Sequence, residues 1–157
     1  MTARMKTAAR FLTGIVTATL AAATMAAATG ASSQLSKPQY IARADTICAA
    51  AHGQIVRLAP LGPLARTAKI GDRWLAIDRA GLRRLHALTP PAADRATIAR
   101  TLTLADRTVE VGLFELVRAA KSGATSAYAA AGARFGILLR ASHAAAARYG
   151  ESACSNW

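Results

Sequence analysis

Four stripes of apolar residues, each repeating at steps of three and four and parted from the next by a Pro or Gly cluster, constrain this chain most. Such spacing puts side chains on one face of an α-helix, whereas a half-buried strand would alternate. The first stripe is Ile41, Ala44, Cys48, Ala51, Ile55 and Leu58; it follows Pro38, which suits a first helical turn, and stops at Ala59-Pro60-Leu61-Gly62-Pro63. The second, Ile70, Trp74, Ile77, Gly81, Leu85 and Leu88, stops at Thr89-Pro90-Pro91. Asp94 then suits the N-terminal dipole of a third helix, whose stripe is Ile98, Leu102, Ala105, Val109, Gly112, Leu116 and Ala119. After Lys121-Ser122-Gly123, Thr125 or Ser126 is placed to cap a fourth. That helix carries Tyr128, Ala131, Phe135, Leu138, Ser142, Ala145 and Tyr149, with Gly150 as a left-handed stop.

None of these helices buries its stripe alone, and an up-down-up-down four-helix bundle buries all four. Composition agrees, since Ala supplies 41 of the 157 residues and there are eight aromatics, a bias toward helix over sheet. The expected fold is therefore all-α: a four-helix bundle with one disulfide over residues 38–157, a polar lead-in over 32–37, and an N-terminal signal-peptide helix over 1–31. Seams this rich in Ala and Gly predict close packing with little room inside for a ligand.

The N-terminal expectation rests on charge. Arg4, Lys6 and Arg10 precede an uncharged stretch from Phe11 to Ser36, apolar at first and then Ala/Thr-rich, which is the layout of a secretory signal. Thr29-Gly30-Ala31 ahead of Ser32 fits the small-x-small cleavage rule, with Ala26 to Ala28 as the alternative. An uncleaved membrane anchor is the competing reading, weakened by how few strongly apolar residues the stretch holds. The first Cys, Cys48, is too far along for a lipoprotein.

The formal charge of +12 is only partly due to that segment. An exported site makes nucleic acid an improbable partner, leaving an envelope protein or an anionic envelope polymer; a membrane enters only if the N-terminal segment is retained. An exported chain with two cysteines, Cys48 and Cys154, reads as carrying a disulfide. Bundle topology supports it, because the end of the fourth helix lies beside the start of the first.

Chemistry is sparse. A Cys/His metal site from Cys48, His52 and His143 competes with the disulfide and lacks a convincing ligand set. No Glu is followed three residues later by His, so di-iron ligation is excluded. Cys-x-x-Cys-His for covalent haem and Gly-x-Ser-x-Gly for a nucleophile are both absent. A haem carrier has only His52, His86, Tyr128 and Tyr149 as candidate ligands. Arg107 with Glu110 and Glu115 with Arg118 are spaced as surface pairs, Asp45 and Asp78 read as solvated, and His86 suits a helix C-terminus. Trp74 reads as core, and Trp157 either packs on the bundle end or stands exposed for a partner.

Tyr40-Ile41-Ala42-Arg43-Ala44-Asp45-Thr46-Ile47-Cys48, the Leu85 to Thr97 segment around Pro90-Pro91, and Tyr149-Gly150 followed by Cys154 resemble a group of small exported helical proteins of G+C-rich bacteria. Its members share an Ala-Asp-x-Ile-Cys helix, a mid-chain Pro-Pro turn and a C-terminal Tyr-Gly…Cys. The resemblance covers most of residues 38–157 and implies architecture, not activity. The functional expectation is a non-catalytic interaction or structural module of the cell envelope, without cofactor or metal; the alternative is a carrier of a small apolar or haem-like ligand. If residues 1–31 are a signal peptide, the intact mass of secreted protein will lack Met1 to Ala31, and a mass that retains them will identify an anchor.

Overall fold

The computed structural model describes residues 34–156, all helical apart from turns and short connections. The calls on residues 1–31 and on Trp157 lie outside the described residues. Four rods are present: α1 (Lys37–Val56), α2 (Leu64–His86), a third built from α3 (Arg95–Arg107), a π-helical turn (Thr108–Leu113) and α4 (Phe114–Lys121), and α5 (Thr125–Tyr149). No helix among the described residues is long and apolar enough to cross a membrane.

Local chemistry sets the ends. Ser36 caps α1 in a reciprocal box: its Oγ accepts from the Gln39 amide at 3.4 Å, and Gln39 Oε1 accepts from the Ser36 amide at 2.9 Å. Gly150 ends α5 at φ 104°, where its amide bonds back to Ala146 and Ala147. The cap expected from Thr125 or Ser126 is not made; Ala124 precedes the helix, without a side-chain cap bond, and Thr125 is its first residue.

The third rod departs from a plain α-helix. Val109, Leu113 and Val117, all buried, recur at steps of four, a spacing that drifts about 40° per step on a 3.6-residue helix. The wider π turn absorbs that drift and keeps the three facing inward. Gly112 within it lies so close to α5 that an added Cβ would stand 3.1 Å from Phe135 Cδ2 and 3.2 Å from the Phe135 Cα.

Neighbouring rods run antiparallel. Gly71 of α2 meets Val117 of α4 while Arg79, further on, reaches back to Glu110. Gly112 meets Phe135, and Arg134 bonds Glu115 at 2.8 Å. The expected Arg107–Glu110 and Glu115–Arg118 pairs thus give way to bridges between rods, which hold two helices instead of one. The bidentate Arg79 contact, Nε to Oε1 at 2.8 Å, is the best formed.

Cys48 and Cys154 form the expected disulfide, their Cα atoms 5.1 Å apart. Asp45, one turn earlier on α1, is not merely solvated: it accepts from the Ser152 amide at 3.2 Å, Ser152 Oγ at 2.9 Å and the Ala153 amide at 2.8 Å. Tyr40 and Tyr149 meet edge to face at 5.9 Å beside this attachment.

In α2 the buried residues are Thr67, Gly71, Leu75, Asp78, Gly81, Leu82 and Leu85: Gly81 and Leu85 belong to the expected stripe, whereas in the first half of the helix the buried face lies one residue round from Ile70, Trp74 and Ile77, which are half-buried. Thr67 fits because its Oγ1 lies 2.7 Å from the Tyr128 hydroxyl, which donates to the Gly62 carbonyl. Gly71 fits because α4 crosses there; a Cβ would stand 2.5 Å from Val117 Cγ2 and 2.9 Å from Cγ1. Replacing Gly71 with Ala should therefore destabilise the fold by about 1–3 kcal/mol through overpacking, although Ala gains about 1 kcal/mol in helix propensity. Urea unfolding measures it, and a Gly71→Ala/Val117→Ala double variant should recover part of the loss if this crossing is the cause.

Candidate functional site

The helices do not close on one another throughout. α1 packs along α2, and α5 packs along α3, the π turn and α4, but α1 and α5 do not lie side by side. A cavity of about 290 Å³, partly open to solvent, lies among all four rods. The expectation of seams too tight for a ligand is overturned here, and small residues are the reason. Ala51, Gly81, Ala105 and Ala146 face the cavity and are too short to fill it once the rods are held apart.

Most of the lining is apolar, with Ile55, Trp74, Leu82, Leu102, Val109 and Phe135 among its larger members. Trp74, expected as core, is half-buried, and its Nε1 donates to the Ala59 carbonyl at 3.3 Å, which fixes the indole at the cavity edge. Thr108 of the π turn is buried, with its hydroxyl donating to the Leu104 carbonyl at 2.8 Å. The π turn thus contributes directly to the wall, and such turns recur at functional sites.

Three titratable groups enter this apolar surface. Asp78, expected in solvent, is only 7% exposed, and its Oδ1 is buried without a hydrogen-bond partner. Burial pushes its carboxyl up to about 7, because a desolvated carboxylate favours its neutral form. Glu151, 5% exposed, follows the Gly150 turn; burial and then the neighbouring charge of Asp45 push it up to about 7 as well. His143 is half-buried with Nε2 lacking a partner, and burial lowers its pKa, so the imidazole is neutral near pH 7. Sequence reasoning missed Asp78 and Glu151 as interior groups. The one available signal was Asp78, three residues before Gly81 of the expected seam and seven before Leu85, on a helical face.

The candidate ligands named from sequence are dispersed. His52 is half-buried with Nδ1 unpartnered but does not line the cavity. His86 Nε2 faces Asp106 at 2.9 Å, a partner from the next helix beyond the expected end effect. Tyr128 is bonded in the α1–α2 turn, and Tyr149 donates to Asp94 Oδ2 at 2.9 Å. Cys48 and Cys154 line the cavity as a disulfide, which removes Cys48 from the Cys/His metal set. Among the described residues no three His, Cys, Asp or Glu side chains converge as metal ligands.

Chemically, the arrangement can hold an apolar body and hydrogen-bond or ion-pair one polar group. Asp78 Oδ1 and His143 Nε2 both lack partners, so they are not joined as an oriented acid–base dyad. Comparison with protein-family models, curated proteins and solved structures found no match.

Raised carboxyl pKa values tie stability to pH. Below about pH 4 folded and unfolded forms are both protonated. From there to about 7 the folded form keeps protons on Asp78 and Glu151 that the unfolded form releases, so stability falls as pH rises, then levels off. His143 opposes this, gaining stability as pH rises toward 6.5, but it is one group against two. Stability in urea should be higher at pH 5 than at pH 8 by on the order of 2–5 kcal/mol, and Asp78→Asn should remove a large part of that slope. An unchanged slope in the variant would show that Asp78 is not the buried acid responsible.

Proposed function

We propose that the protein is an exported, non-catalytic binding protein that carries a small, largely apolar ligand between its helices. One observation carries this reading: a cavity of about 290 Å³ whose apolar wall is interrupted by buried polar atoms with no partner. Interiors without a binding role pack to near-crystal density, which this one does not. The volume sits at the lower edge of the roughly 300–1,000 Å³ typical of ligand sites. It suits a compact molecule and is smaller than a porphyrin, and none of His52, His86, Tyr128 or Tyr149 lines it, so the haem-like form of the ligand is not carried forward.

Export is proposed from the basic and then uncharged segment at 1–31, and the refined fold is an up-down-up-down bundle over 38–157 of the kind the resemblance implies. A second reading concerns the surface. Lys37, Arg100 and Arg148 border a polar cleft with Asp94, and this is where an anionic envelope polymer would meet the domain.

Toluene, titrated into labelled protein, should produce saturable amide and methyl shifts confined to the cavity wall. Ala105→Phe, which puts a ring into that space, should keep the helical circular dichroism of the parent and lose the shifts. Absence of any saturable response, or the same response in Ala105→Phe, counts against the carrier.

A further inference from the structure

This inference rests on the carrier reading and specifies what is carried. We propose that the cavity takes a small apolar amine, bound as its cation with the ammonium against Asp78 and the apolar body along Trp74, Leu102 and Phe135.

Asp78 carries the argument. It is more than nine-tenths buried, lines the cavity, and its buried Oδ1 has no hydrogen-bond partner, so the carboxyl is not already engaged through that oxygen. The chain holds 20 Lys and Arg against 8 Asp and Glu, yet the cavity lining collects two acids and no Lys or Arg. The nearest basic residue in sequence, Arg79, is paired with Glu110 of the π turn, and neither lines the cavity.

Ligand classes then separate on electrostatics. A carboxylate or phosphate would enter a space with two acids and no cation, at a cost that apolar burial does not offset. A neutral molecule fills the volume but leaves an ionised Asp78 unpaired above pH 7. A cation pairs with it, and a buried charge is tolerated when paired and hydrogen-bonded. Trp74 and Phe135 add aromatic rings, which also favour cations.

No Lys or Arg lines the cavity to compete for Asp78. α5 contributes His143, kept neutral by burial, and the tail contributes Glu151. α1 contributes Asp45, whose charge acts on Glu151, and Tyr40, whose hydroxyl burial pushes up to about 12 and so keeps neutral. α3 and the π turn contribute Thr101 and Thr108, and no titratable group. An amine cation therefore favours the ionised carboxyls, and its binding displaces protons below about pH 7.

Three probes of one skeleton test this on the whole purified protein: 2-phenylethylamine, 2-phenylethanol and 3-phenylpropionate, each titrated by calorimetry at pH 7.5 and pH 5, alongside toluene. The amine should bind at least tenfold more tightly than the alcohol at pH 7.5, lose most of that advantage at pH 5, and the acid should not bind. Asp78→Asn, isosteric and relieved of a buried charge, should bind the alcohol as before and lose the preference for the amine. The proposal is overturned if alcohol and amine bind alike at pH 7.5, if the acid binds best, or if the preference survives Asp78→Asn. Toluene binding without amine preference leaves the carrier reading standing and removes this one; if neither toluene nor any of the three binds, both fall.

Discussion

The attachment of the C-terminal tail to the third and fourth turns of α1 is the tie on which the rest of this structure depends. α1 packs along its length chiefly on α2; α2 is held to the other rods by the Gly71–Val117 crossing, the Arg79–Glu110 bridge and the Thr67–Tyr128 contact, and the tail attachment is what ties α1 itself to the end of α5. The disulfide from Cys48 to Cys154 spans 106 residues, and in the chain-entropy account a loop of that size contributes about 4–5 kcal/mol. Asp45 reinforces it by accepting two backbone amides and a hydroxyl from the tail, giving those orphan donors after the helix a charged acceptor. Tyr40 against Tyr149 completes the joint with an aromatic contact.

A frame tied at one end can tolerate a gap elsewhere. Where α2 meets α4, Gly71 lets the backbones approach and Val117 fills the contact. Where α1 faces α5, small residues on both sides meet no such partner, and the gap remains. Small side chains therefore have opposite outcomes in the same molecule, closing one crossing and opening another. The difference is which helices the connections and the disulfide bring together. The interior then carries groups that lower stability when nothing binds, Asp78 and His143 above all.

Much of the architecture was legible in sequence. The stripes, the Pro and Gly breaks, the Gly150 stop and the Cys48–Cys154 pairing follow from periodicity, backbone sterics and cysteine arithmetic, which are local or nearly so. The register of α2 was not, because its buried face includes Thr67 and Asp78, polar residues that an apolar-stripe reading assigns to solvent. Thr67 is explained only once Tyr128, 61 positions away, is seen beside it. The π turn was half-legible, since the four-step spacing of Val109, Leu113 and Val117 was present but reads as ordinary drift. Cavity volume was not legible at all, because Ala in a stripe states the size of a side chain and says nothing of the distance to the opposite helix.

The cavity and the proposed route of export are joined by the same bond. Both cysteines line the cavity, and Glu151 is carried into it by the tail that the disulfide holds. Without the bridge, Asp45 alone would hold the tail, through hydrogen bonds partly exposed to water and each worth about 1–3 kcal/mol. Glu151 would then be held less firmly at the lining that it shares with Asp78, and the proposed preference for a cation would weaken. A disulfide of this kind persists where thiols oxidise, which is consistent with the proposed export. A bundle stabilised by apolar burial alone would not need that dependence. Here the interior is left underfilled and partly unpaired, and a covalent tie offsets what those features cost.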